Sequence, residues 1–102
     1  MATATKSIDI GKLISRKSGV RGGRPCIAGT GVSVMRIAGW HNQGWIPEEI
    51  ASRVGLTLAQ VHAALAYYYA NQNEIDADIA DERSAYEIYE KESQQNGLEA
   101  DQ

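Results

Sequence analysis

The run Ile50-Ala51 … Val54-Gly55-Leu56 … Val61 constrains this chain more than any other feature, because its spacing is that of two helices joined by a tight turn. Ile50 and Val54 lie one helical turn apart, Ala51 lets a second helix come close, and Gly55 stands where the chain must take a positive φ. Thr57 offers a hydroxyl to cap the following helix, on which Leu58, Val61, Leu65 and Tyr68 form the expected buried face. Helices joined this closely must cross, a geometry often used to bind DNA.

Around this pair the chain divides into four parts. Residues 1–7 are expected to be disordered. Residues 8–34 form a β-ribbon arm: apolar Ile8, Ile10, Leu13 and Ile14, a glycine-rich basic turn over 15–23, then short strands at Arg24-Pro25-Cys26-Ile27 and Val32-Ser33-Val34. So small a ribbon needs support for its edges, and pairing with a second subunit makes a homodimer the simplest expectation. Residues 34–73 hold the helical core. Its first helix begins near Ser33 or Val34, buries Val34, Ile37, Ala38 and His41 with Trp40 beside them, and ends at Gly44. Pro47, Glu48 and Glu49 suit the first turn of the second helix, and Arg53 its last. The third helix runs from Thr57 to about Ala70. Residues 74–102 form an acidic helix, from Glu74 to Glu92, and a fraying tail. Its seam of Ile75, Ile79, Glu82, Tyr86 and Tyr89 alternates four and three apart. Opposite the buried face of the third helix, Ala59, Ala63, Ala66 and Ala70 make a stripe of small residues that suits a closely packed helix, the acidic one included. High helix propensity alone would also produce such a stripe.

The 102 residues, 43% of them apolar, suffice for one modest core. No apolar run reaches membrane-spanning length and MATATKS lacks the apolar centre of a secretion signal, so a cytoplasmic location is expected. Cys26 is the single cysteine, which excludes an internal disulfide, and with His41 and His62 it has no metal-ligand spacing. No cofactor site and no cluster of acid, base and nucleophile is visible, so an enzyme is not expected. The net charge of −3 conceals a division. Residues 1–72 carry eight cations against three acids, and residues 73–102 two against ten. A basic head and an acidic tail fit two partners, nucleic acid and a basic protein; they also fit plain solvated surface, or a tail that screens the head.

For DNA, the candidate phosphate contacts are Arg16, Lys17, Arg21 and Arg24 in the loop, with Arg36 and Arg53 on the helices. Thr57, Gln60 and His62 are the candidate groove contacts, and Gln60 alone could make the two-pronged contact that identifies adenine. Ile75, Ile79, Tyr86 and Tyr89 are the candidate partner-binding residues on the acidic helix. Gly22-Gly23 and Gly29-Thr30-Gly31 lack the lysine of a phosphate-binding loop and are read as turns. Tyr67 and Tyr69 point outward from a buried Tyr68, and both tryptophans belong to the core.

The segment Gly22-Gly23-Arg24-Pro25-Cys26-Ile27-Ala28-Gly29-Thr30, followed by Val32-Ser33-Val34, Gly44, Glu48-Glu49-Ile50-Ala51, Leu56-Thr57 and Val61-Ala63-Ala64-Leu65-Ala66-Tyr67-Tyr68, resembles the bacterial family known as domain of unknown function 433. The likeness spans roughly residues 8–79. It implies a mainly α fold: a homeodomain-like three-helical helix-turn-helix core behind a short N-terminal β-ribbon, here with an additional acidic C-terminal helix. For some members it also implies the antitoxin role of a toxin-antitoxin pair, beside a PIN-like ribonuclease. The family pattern usually has arginine after Gly-Thr, where this chain has Gly31. The expected function is therefore a DNA-binding, antitoxin-like autorepressor that engages double-stranded DNA and a basic toxin. The alternative is a protein-interaction module that keeps the helical core without DNA recognition.

Overall fold

A computed structural model describes residues 7–100, with side chains through residue 91 except that of residue 89. The disorder expected for residues 1–6, the last two residues of the tail and the side chain of Tyr89 lie outside the described residues. Two strands and four helices follow in order: β1 (Ile14–Ser15), β2 (Cys26–Ile27), α1 (Val34–Asn42), α2 (Pro47–Val54), α3 (Leu58–Ala70) and α4 (Gln72–Ala100). The fold is mainly α with a short antiparallel ribbon, in which Ile14 faces Ile27 and Ser15 faces Cys26.

Local chemistry sets the helix boundaries. The Ser33 hydroxyl accepts from the Arg36 N–H at 3.2 Å and caps α1. Pro47 opens α2, where its missing N–H is no loss, and the Glu49 carboxylate accepts from the Ile46 N–H at 3.3 Å. Gly55 closes α2 in the left-handed region at φ 69°, and the Leu56 N–H reaches back to the Ala51 carbonyl at 3.0 Å. Two residues later Thr57 caps α3, so the turn expected at Gly55 is present.

The core lies where α1, α2 and α3 meet. Val34, Ile37, Ala38, Ile50, Val61 and Ala64 are wholly enclosed, with Leu65 and Tyr68 nearly so. Two further elements close it. Ile27 of the ribbon and Ile75 of α4 are both at 0% exposure, and Pro25 and Cys26 are buried beside Ile27. The expected periodicity of α3 holds from Val61 onward but fails at Leu58, which is 45% exposed. Leu58 occupies the first helical position, where Cα–Cβ bonds tilt toward the N-terminus, so its side chain overshoots the end of the core. His41 is only half-buried; its Nε2 shares a hydrogen bond of 2.5 Å with the Tyr69 hydroxyl at the core's edge.

Several expectations need correction. Each strand has two residues, and the supposed third strand at Val32–Val34 contributes a single bridge between Ser33 and Cys26 before the chain turns into α1. This ribbon lies against α3. The alanine stripe does not receive α4. Ala63, Ala66 and Ala70 instead border a groove that faces Ile10, Gly11 and Ile14 of the N-terminal segment, because α4 packs on α1 and the other side of α3. Finally, α4 starts at Gln72, two residues before expectation. Asn71 caps α3, its side-chain amide donating to the Tyr67 carbonyl at 3.1 Å, and one residue is the whole joint. The helix then continues through residues 94–100, expected to fray, where Gln95 and Glu99 are good helix formers and no proline intervenes.

Candidate functional site

The start of α3 is the place where a reading helix would meet bases. There the Thr57 hydroxyl accepts from the Gln60 N–H at 3.1 Å, while the Gln60 side-chain oxygen accepts from the Thr57 N–H at 2.8 Å. The reciprocal bonds satisfy two N–H groups that the helix leaves open. They also occupy the carbonyl oxygen of Gln60, which a two-pronged contact to adenine requires. Ala59 and His62 remain exposed on this turn, and Ala63 is buried. The surface offered to a groove is therefore sparse.

The six candidate phosphate contacts separate into two groups. Arg16 donates to the Tyr67 hydroxyl at 2.7 Å and pairs with Glu74, which also accepts from Tyr67. The hydrogen bond that Arg16 donates to Tyr67, and Glu74 beside it, push the Arg16 pKa further above its ordinary value. Arg24 lies 3.5 Å from Asp78 and 3.5 Å from Glu82. Acids of α4 thus hold two loop arginines, the screening of head by tail that charge alone leaves as one of several options. Burial raises the Asp78 carboxyl above the usual range, outweighing the opposite pull of Arg24. Lys17, Arg21, Arg36 and Arg53 make no ion pair among the described residues, and all four are exposed.

Two of these four are positioned by aromatic rings. Trp40 of α1 and Trp45, just before α2, stack with centroids 6.1 Å apart. The Arg36 guanidinium lies 5.2 Å from the Trp40 ring, and that of Arg53 lies 5.7 Å from Trp40 and 4.8 Å from Trp45. Such stacking fixes a cation without neutralising it, leaving its N–H groups free for an anion. The two tryptophans, expected only as core, are both half-buried and serve as this platform.

A second basic surface lies on the side where α4 crosses α1. Arg21 and Arg24 from the loop, Arg36 from α1 and Arg83 from α4 line an open cleft of about 670 Å³. Arg83 is absent from the candidate residues. Its signal was available, since Ile79, Arg83 and Tyr86 fall at i, i+4 and i+7 on one helix face. Arg21 has φ 48°, a positive value outside glycine, and its Nε donates to the Gly31 carbonyl at 2.8 Å. A Cβ on Gly31 would meet Arg21 Nη2 at 3.6 Å, so a guanidinium lies over position 31 although the residue there is glycine.

The candidate partner seam is split. Ile75 is enclosed in the chain's own core, whereas Ile79 is half-buried, packed against that core and lining the open cleft. Tyr86 is exposed at 62%, as is Ile88 at 59%, a residue outside the expected seam. Among the described residues no group of histidine, cysteine, aspartate or glutamate is arranged to hold a metal, and no helix is long and apolar enough to cross a membrane.

The family model for "Protein of unknown function (DUF433)" matches residues 14–68. The chain belongs to the DUF433 family. That match begins at the first residue of β1 and ends in the last turns of α3, so the DUF433 unit is the ribbon and the first three helices, and α4 lies outside it. A crystal structure of a DUF433 member from Anabaena variabilis is similar, with 33% sequence identity, a TM-score of 0.64, and coverage of 68% of this chain and 69% of that one. No curated protein matches the chain. Within the matched range, residues 22–30 do much structural work. Gly22, Gly23 and Gly29 take positive φ, while Pro25, Cys26 and Ile27 fill the space between ribbon and helices.

Proposed function

We propose that this DUF433 protein is an antitoxin-like regulator that docks on DNA through its three-helix unit and holds a basic protein partner with the distal part of α4. The observation that carries the proposal is the division of α4. Its first turns are built into the core through Ile75 and Ile79, whereas residues 80–88 are exposed throughout and present Tyr86 and Ile88 among acids. A helix that served only to complete the core would not need this exposed, tyrosine-bearing extension. The fit to a basic partner such as a PIN-like ribonuclease rests on charge complementarity and on the family resemblance. In this reading Lys17, Arg36 and Arg53 contact DNA phosphates and His62 approaches the groove, with little sequence readout from Gln60.

The test is binding of a labelled duplex from the chain's own promoter, by anisotropy. Three phosphate contacts give a salt slope near −2.7, so affinity falls about 40-fold between 50 and 200 mM salt, and Arg53→Ala reduces the slope by about one. Tyr86→Asp with Ile88→Asp leaves DNA binding intact and abolishes co-purification with a co-expressed basic PIN-like ribonuclease. The second reading, an interaction module that does not recognise DNA, is favoured by the capping role of Gln60. Absence of duplex binding at low salt, with partner binding retained, decides for it.

A further inference from the structure

We propose that the arginine-lined cleft between the glycine-rich loop, α1 and α4 binds a nucleotide, with its phosphates on the guanidinium groups and its base against Tyr86. Arg21, Arg24, Arg36 and Arg83 come from three separate segments of the chain and converge on one cleft. Of these four only Arg24 has carboxylate partners among the described residues, in Asp78 and in Glu82, which also lines the cleft; the other three guanidinium groups line it without an ion pair. Like charges repel when brought together, and an anion of charge −2 or more relieves that repulsion.

Two features show how the cationic wall is aimed. Arg21 is held at φ 48°, which costs a non-glycine residue on the order of 1 kcal/mol, and its Nε is tied to the Gly31 carbonyl. That tether directs the remaining N–H groups of Arg21 over Gly31, where the lack of a side chain keeps the cleft open. Met35, Ile79 and the exposed Tyr86 line the same cleft, Met35 with its Sδ 3.7 Å from the Arg24 guanidinium. A cleft of about 670 Å³ lies within the range of small-molecule sites and is far larger than a phosphate ion needs. The lining thus offers cationic groups together with apolar and aromatic surface, the combination that suits a phosphorylated nucleoside.

Isothermal titration of the full chain at about 0.15 M salt, with ADP, pyrophosphate and adenosine as probes, tests this. ADP is expected to bind with a Kd below about 1 mM, pyrophosphate several-fold more weakly, and adenosine not measurably. Arg83→Ala and Arg21→Ala, both at exposed positions, should each weaken ADP about tenfold. Tyr86→Ala should reduce ADP to the affinity of pyrophosphate without changing pyrophosphate itself. Arg53→Ala, which acts on the proposed DNA surface, should leave ADP binding unchanged, so failure of the cleft and failure of DNA docking are separable. The proposal is overturned if ADP gives no heat up to about 5 mM, or if its affinity survives both arginine substitutions. Equal affinity for ADP and pyrophosphate overturns the role of Tyr86.

Discussion

Ile75→Ala tests the central claim about α4, that its beginning belongs to the folded core of the chain. Ile75 is at 0% exposure and packs within the cluster that includes Val34, Ile37 and Tyr68. Truncation removes the side chain's transfer free energy and leaves a cavity, for which buried isoleucine-to-alanine changes cost about 2–5 kcal/mol. The site lies at the one-residue joint after α3, where α4 can tilt and partly close the gap, so a value near 3 kcal/mol is expected. For a domain of this size each kcal/mol lowers Tm by about 4–8 °C, which places the loss at about 12–24 °C. Ile88→Ala is the control: the side chain is 59% exposed on the same helix, and its truncation should stay within about 0.5 kcal/mol. The assay is thermal unfolding followed by circular dichroism at 222 nm. If Ile75→Ala melts within about 3 °C of Ile88→Ala, then α4 does not hold the core and its acids do not organise the loop arginines.

Gly55→Ala should cost about 1 kcal/mol in urea unfolding, because alanine resists the left-handed backbone while its Cβ would meet nothing within 4 Å; a gain in stability would refute the turn. Asp78 has a folded pKa raised by burial, so the folded chain takes up this proton first and the group's penalty fades as pH falls through that folded value toward the ordinary aspartate range. Asp78→Asn should therefore be more stable than the parent at pH 7, with the gap narrowing toward pH 4; a gap that widens on acidification contradicts this. Burial likewise raises the Cys26 thiol, and its Sγ donates to the Arg24 carbonyl at 3.4 Å. Disulfide-exchange reagents should label it at the rate of unfolding, and labelling within the mixing time in native buffer would refute its enclosure.

The elements marked by chemistry within a few residues were legible before any coordinates. Gly55 and Thr57 announce the α2 to α3 turn, Pro47 the start of α2 and Ser33 the start of α1, since each signal acts on its own backbone. What depended on distant partners was not legible. The spacing of Ile75 and Ile79 declares an apolar seam, but periodicity does not say whether that seam meets another molecule or the helices that precede it. The stripe of Ala63, Ala66 and Ala70 is the same case, for it looks like a helix-packing face and faces the N-terminal segment instead. Gln60 was singled out by its hydrogen-bonding capacity, and the same capacity engages it three residues away at Thr57, a contact that the spacing Thr-x-x-Gln already encodes. The arginine cleft is not legible in the sequence, because Arg21 and Arg83 are 62 positions apart and line one cleft only once α4 crosses α1.

The outward reach of α4 also governs how this polypeptide travels through solution. Its radius of gyration is 17.7 Å, against about 13 Å for a compact globule of equal length. A spherical protein with that radius would contain about 240 residues. Gel filtration of a single copy should consequently return an apparent mass near twice the 11.1 kDa of the chain, mimicking a pair. Light scattering or sedimentation equilibrium, which weigh particles instead of sizing them, are the methods suited to counting subunits.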